Sequence, residues 1–416
     1  MKYVIVLGDG MSDRPLDALD GRTPLMAADK PSIDGLCAGG RCGLFTTVPA
    51  GMPPGSAVAN LAVLGYDPAK TFRGRGVLEA ASMGVELSPT DIAMRCNLIC
   101  IEDGKIKNHS AGHITTPEAR ELIEAVEAGL GSSTVHFHPG VSYRHLLVLS
   151  EGSEHFECTP PHDVPGQEWE PLLVKPLESE AYGTAALLND LIRRSQHVLA
   201  DHPVNRKRIR EGKDPANSVW FWSPGRRPSM KTLYELYGMT GAVISAVDLV
   251  RGLGVYAGMD VIEVEGATGL YDTSYEGKAE AALAALEDHD LVYVHVEASD
   301  EAGHDGDAAL KVRTIEYLDQ RLVRHIVERT AGQDVAIAVT PDHATPCTVR
   351  THVHDPVPFL IRRPGEEPDA VTRYDEESVK DGGYGMITGD GFIKALLGIR
   401  TWPPASHIPT DGNGGS

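Results

Sequence analysis

The stretch Ala336-Ile-Ala-Val-Thr-Pro-Asp-His-Ala344 decides how this chain is read, together with Thr351-His-Val-His-Asp-Pro-Val-Pro-Phe-Leu-Ile361 just after it. Its apolar first half has the length of a buried β-strand, and Asp342 and His343 follow past the C-terminal end, where open α/β sheets place their ligands. Adjacent residues point to opposite sides of an extended backbone, but at the turn after a strand both can converge on one cation. Upstream, a second strand pattern, Asp290-Leu-Val-Tyr-Val-His-Val296, runs into Glu-Ala-Ser-Asp300-Glu-Ala-Gly-His304. The spacing of Asp300 and His304 matches one helical turn, so a carboxylate and an imidazole can share a metal. His352 supplies a further imidazole.

Each of these residues has an ordinary reading when taken alone. An Asp after a strand is commonly a turn residue or a helix cap, and a lone His is commonly a surface or hydrogen-bonded one. The combination of D-x-x-x-H, D-H and H-x-x-D-P-V-P, each beginning where a strand ends, points instead to metal ligation.

The N-terminus has the same design. Residues 2–7 form a short apolar strand pattern, and Gly8-Asp9-Gly10 follows as a tight turn, so Asp9 occupies the same kind of position as Asp342. A simple turn Asp between glycines is the alternative. Farther on, the Pro/Gly-rich loop Pro49-Ala-Gly-Met-Pro-Pro-Gly55 breaks at Ser56, and Ala57 to Leu64 reads as a helix. Ser56 is thereby expected at the helix N-cap, where free backbone N–H groups favour a bound phosphate. Capping and nucleophilic attack are equally open roles for it on this segment alone.

The 416 residues exceed one ordinary core, and a hydrophobic content of 42% suffices for two. Lys and Arg number 38 against 59 Asp and Glu, a net charge of −21. That balance opposes a sequence-independent grip on nucleic acid or an anionic membrane. The first apolar run is too short for a signal segment or a membrane span, so a cytoplasmic protein is expected. The six cysteines (37, 42, 96, 100, 158 and 347) are scattered and read as free thiols. From about residue 75 to about 252 the patterns suit an α+β module. The expected organisation is therefore a split core, 1–74 plus 253–405, carrying an inserted domain, 75–252, and a disordered tail, 406–416. The alternation of strands and helices in the core gives an α/β class with a mostly parallel sheet.

Seven candidate ligands thus stand at strand ends: Asp9, Ser56, Asp300, His304, Asp342, His343 and His352. Mixed oxygen and nitrogen donors in that number suit two divalent cations, Mn²⁺ or Mg²⁺ ahead of Zn²⁺, because no Cys is among them. With V-L-G-D9-G-M-S-D, P-P-G-S56-A-V-A-N-L, R73-G-R-G-V-L-E-A, S110-A-G-H-I-T, V-E-A-S-D300-E-A-G-H304-D, P-D342-H343 and H352-V-H-D-P-V-P in this order, the chain resembles the cofactor-independent phosphoglycerate mutases of the archaeal type, in the alkaline phosphatase superfamily.

The resemblance implies an alkaline-phosphatase-like core, helices on both sheet faces, and an inserted substrate-binding or lid domain. It also implies that Asp300, His304 and His352 hold one metal while Asp9, Asp342, His343 and the Ser56 oxygen hold the other. The implied reaction is the glycolytic and gluconeogenic interconversion of 3- and 2-phosphoglycerate through phosphoserine at Ser56, without 2,3-bisphosphoglycerate. A homo-oligomer is compatible with it. Arg73, Arg75, His113, Arg144 and Lys278 are the candidate contacts to carboxylate and phosphate, for which arginine forks are suited. Two departures stand out. Trp220-Phe-Trp-Ser223-Pro-Gly225 has Ser where the family often has Gly, and His354 competes with His352, although the register against D-P-V-P favours His352. The rival readings are another phosphotransferase or phosphatase on the same core, such as the proposed homoserine kinases, and a binding protein retaining a relic metal site. No Walker A loop supports a P-loop kinase.

Overall fold

The computed structural model describes residues 1–399, and the expected tail at 406–416 lies outside them. The described residues divide into two compact units, one formed by Met1–Phe72 with the chain from Lys231 onward, the other by Arg73–Met230.

The first unit is built on an eight-stranded sheet. Its strands in chain order are β1 (Lys2–Gly8), β2 (Arg41–Thr46), β3 (Gly241–Ile244), β4 (Asp260–Val261), β5 (Leu291–Val296), β6 (Val335–Thr340), β7 (Val357–Arg362) and β8 (Gly385–Thr388). Across the sheet they run β4-β3-β5-β1-β6-β7-β2-β8. All neighbours are parallel except where β7 lies antiparallel to β6 and β2. In the central strand Val4, Ile5, Val6 and Leu7 are all fully buried, so both faces are covered, as a parallel sheet requires. Because β5, β1 and β6 are parallel and adjacent, their C-terminal ends open on the same edge, and the residues that follow each of them meet there.

Three helices complete that edge: α1 (Ser56–Val63), α2 (Tyr275–Asp288) and α3 (Ala298–Asp305). α3 starts almost directly after β5 and ends at Gly306 in the left-handed conformation. The second junction between units falls at Met230/Lys231, earlier in the chain than the expected 252/253. The reason is β3, a short strand that pairs in parallel with β5 and so ties its segment to the first unit.

The second unit contains an antiparallel sheet in which the long strand Ile92–Glu102 pairs with Lys105–Asn108, Arg144–Leu149 and Ser218–Arg226, while Val135–Val141 pairs with Arg144–Leu149. The amphipathic helices Thr116–Leu130 and Tyr182–Ala200 bury Leu122, Ile123, Val126, Leu188, Leu191 and Ile192 in one core with Phe137, Leu147 and Trp220. Among the described residues no helix is long and apolar enough to cross a membrane.

Candidate active site

Asp9 follows β1, Asp342 and His343 follow β6, and Asp300 and His304 stand one turn apart on α3 after β5. Two groups of ligand-type atoms result, Asp300/His304/His352 and Asp9/Asp342/His343, each with its atoms within 4.8 Å of one another. In the first, His304 Nε2 is 3.1 Å from Asp300 Oδ2 and His352 Nε2 is 3.6 Å from Asp300 Oδ1. In the second, His343 Nε2 is 3.5 Å from Asp9 Oδ1 and 3.4 Å from Asp342 Oδ2. The groups adjoin, since the rings of His343 and His352 lie with centroids 4.0 Å apart. His354 is elsewhere, bonded to the Met52 carbonyl at 2.8 Å.

Tight backbone approach makes this crowding feasible. Gly10 has a φ of +58°, and a Cβ there would lie 2.3 Å from Asp300 Oδ1 and 2.7 Å from Asp300 Cα. Only glycine lets the β1 turn pass the first turn of α3. The Gly10 N–H also donates to Asp342 Oδ1 at 3.2 Å, joining the ends of β1 and β6.

Ser56 is the first residue of α1, and Gly55 occupies the cap without any side-chain cap bond. The hydroxyl expected to cap its helix therefore points away from it, and Ser56 Oγ lies 3.2 Å from His343 Nε2. Its partner comes from the far end of the chain.

The donor set fits divalent cations. Asp9 Oδ1 is buried with no hydrogen-bond partner, an oxygen oriented for a cation. His304 Nδ1 meets the Arg350 carbonyl at 3.0 Å, which fixes a proton on Nδ1 and leaves Nε2, on the side of Asp300, as the nitrogen that could ligate a cation once deprotonated. His304 Nε2 and His352 Nε2 then face each other at 3.0 Å, an arrangement that a shared cation satisfies. Arg350 itself has a φ of +59°, so the carbonyl that orients His304 is delivered by a sparsely populated backbone conformation.

The electrostatics without a cation follow from burial and proximity. Burial, then the charges of Asp342 and Asp300, push Asp9 well above the ordinary carboxylate range. Burial opposes ionisation of Asp300 too, but hydrogen bonds from His304 and His352 outweigh it and hold Asp300 well below that range. The bond to Asp300 lifts His304 to about 9 against the opposing effect of burial. Burial lowers His343 despite the neighbouring Asp342. A site with this many carboxylates in a buried space calls for positive charge.

The family model described as 2,3-bisphosphoglycerate-independent phosphoglycerate mutase matches residues 37–205. A protein of that name from Methanosarcina acetivorans is 51% identical over 404 residues, covering 96% of this chain and 100% of the relative. The chain belongs to the family of 2,3-bisphosphoglycerate-independent phosphoglycerate mutases. Members of this mutase family are isomerases, and the chain is an enzyme of that class. A solved protein from Pyrococcus horikoshii superposes with a TM-score of 0.82 at 31% identity, over 96% of this chain and 97% of that one. The cofactor-independent phosphoglycerate mutase from Thermoplasma acidophilum gives 0.68 at 29% identity, over 96% and 100%.

In this member of the mutase family the expected substrate contacts are distributed unevenly. Arg73, Arg75, His113 and Arg144 are exposed and belong to the second unit. Arg75 and Arg144 act electrostatically on buried Arg95, which burial lowers to about 10 and which lies 4.3 Å from the Trp222 ring and 2.9 Å from Glu79. His162 sits 5.1 Å from the same indole and 6.1 Å from His109. Arg95, His109 and His162 thus cluster around Trp222, a group that the sequence reading did not name, and burial lowers both imidazoles toward the neutral form. Ser223, standing where the family often has Gly, keeps a left-handed φ of +52°, and its Oγ accepts the Arg75 N–H at 3.0 Å. Lys278 differs from the other four: it is buried in the first unit, its Nζ donates to the His295 carbonyl at 2.9 Å, and burial lowers it to about 8 against the pull of Glu297.

Sequence reasoning also missed the residues that hold the acidic groups in place. Thr345 Oγ1 lies 2.5 Å from Asp300 Oδ1 and 3.2 Å from His343 Nδ1. His295 Nε2 is 2.9 Å from Asp9 Oδ2, and its Nδ1 is 3.2 Å from Ser245 Oγ. The one signal for His295 was its place in a fully buried strand, where an imidazole needs a partner.

Proposed function

We propose that the chain interconverts 3-phosphoglycerate and 2-phosphoglycerate by way of a phosphoserine at Ser56. The observation that carries this reading is the approach of Ser56 Oγ to His343 at 3.2 Å, beside two adjoining ligand groups. Asp300, His304 and His352 would hold one divalent cation, and Asp9, Asp342, His343 and Ser56 Oγ the other. Bound there, the cations would lower the serine pKa and offset charge on the phosphoryl oxygens.

Ser56 Oγ forms a bond to phosphorus as the bond to the substrate's 3-oxygen breaks, and the serine proton ends on the released glycerate. Placement at the first turn of α1 favours this, since N–H groups there are free to face phosphate oxygens. Glycerate then turns, and its 2-hydroxyl takes the phosphoryl group back. Retention of glycerate separates a mutase from a phosphatase, because water competes for the phosphoserine throughout. Within the second unit, the exposed arginines Arg73, Arg75 and Arg144, with His113, are the groups whose chemistry suits a carboxylate. Lys278, enclosed under β5, serves here as a buried counter-charge.

The test is ³¹P NMR of purified protein with Mn²⁺ and 3-phosphoglycerate. Appearance of 2-phosphoglycerate supports the reading, and inorganic phosphate alone would convert it to a phosphatase.

A further inference from the structure

Tyr293 and His295, two residues apart on β5, project to the same side of the sheet and are both fully buried. His295 reaches Asp9 directly. Tyr293 works through Asn60, on α1, its hydroxyl donating to Asn60 Oδ1 at 2.5 Å. The Asn60 amide nitrogen donates to Asp342 Oδ2 at 2.9 Å and to the Ser56 carbonyl at 2.9 Å. Asn60 is completely buried, and these bonds use its oxygen and both of its N–H groups. Asp342 and the Ser56 carbonyl can only accept, so the amide nitrogen must face them and the oxygen must face the phenol. Burial, then the charges of Asp342 and Asp9, push the Tyr293 phenol well above its ordinary value, so it keeps the proton it donates.

We propose that Asn60 is a positioning residue that locks the helix bearing Ser56 to the carboxylate of Asp342, with Tyr293 acting through it to fix the orientation of the amide. One carboxamide thereby sets the distance between the nucleophile's helix and a group on the end of β6. Neither leucine nor aspartate could do this: the first leaves Asp342 Oδ2 without its donor, and the second sets carboxylate against carboxylate. The inference rests on the reading of Asp342 as a cation ligand.

Mn²⁺ titration by calorimetry of wild type, N60A, Y293F and the double variant tests both layers separately. Wild type should bind two Mn²⁺; failure to bind any overturns the metal reading itself. N60A should weaken one Mn²⁺ by about 10- to 100-fold and leave the other unchanged, whereas a merely structural defect would lower both or only the melting temperature. Y293F should weaken the same ion several-fold, and should add nothing in the N60A background. Wild-type affinity for both ions in folded N60A, or an undiminished Y293F effect in the double variant, overturns the proposal. If N60A does not fold, unchanged Mn²⁺ affinity in Y293F overturns it.

Discussion

His343 Nε2 stands 3.2 Å from Ser56 Oγ across a sequence separation of 287 residues. Two chain segments that share no local pattern are joined there, with α1 held to the end of β6 by the bond from Asn60 to Asp342. The contact also frees Ser56 from its ordinary role, since its helix is capped by Gly55 without a side-chain bond.

Ser56→Ala should therefore leave the fold nearly untouched, with a stability change within about 0.5 kcal/mol. Mutase turnover should fall by on the order of 10⁴ or more, as for loss of a covalent nucleophile. Intact-mass measurement during turnover should find a phosphate adduct on wild type and none on the variant. Equal masses under those conditions would end the covalent mechanism.

Removal of metal should abolish turnover, and added Mn²⁺ should restore it. Asp300→Asn with His304→Ala should leave one Mn²⁺ per chain, and Asp9→Asn should impair the other. Elemental analysis after dialysis reads the stoichiometry directly. Full activity in the presence of excess chelator would contradict the ligand assignment.

His304 gives a pH signature of opposite sign in the two states. Its folded value is raised to about 9 by the bond to Asp300, from an unfolded value near 6.5. The charged pair thus stabilises metal-free protein fully below about pH 6.5, and that contribution is lost as pH rises through about 9. Melting temperature of the metal-free wild type should decline across this window relative to His304→Asn. Mn²⁺ affinity should run the other way, rising by up to about tenfold per pH unit, because ligation needs the neutral imidazole. An affinity that stays flat from pH 6.5 to 9 would remove His304 from the ligand set.

Gly10→Ala should be more damaging than its size suggests. The left-handed φ costs about 1 kcal/mol for an L-residue, and overpacking against Asp300 adds about 1–3 kcal/mol. Urea unfolding should register a loss of about 2–4 kcal/mol, and the displaced Asp300 should weaken Mn²⁺ binding. A variant of native stability and metal affinity would mean that the β1 turn can move away from α3.

Much of the site was legible in the chain because its chemistry is local in sequence. Asp300 and His304 share a helical turn, Asp342 and His343 are adjacent, and Asp9 lies between glycines, so residue type and strand-end position could be read together. The second junction was read too late because Gly241–Ile244 is only four residues long and its membership in the sheet depends on pairing with β5. Lys278 reads as a candidate contact to carboxylate or phosphate, and its burial escapes the sequence because a helix pattern does not say which of its long side chains is enclosed.

The order of strands and chemical groups, the acidic balance and the family follow from the amino-acid sequence by itself, since they depend on spacing and residue type. Which atoms meet was decided only by the tertiary structure. Asn60 between Tyr293 and Asp342, His295 on Asp9, Thr345 between Asp300 and His343, and Ser56 turned toward His343 are all bonds across separate elements, except for the short step from Thr345 to His343. Such contacts exist only once parallel strands have brought their ends to one edge of the sheet, and no local periodicity records them.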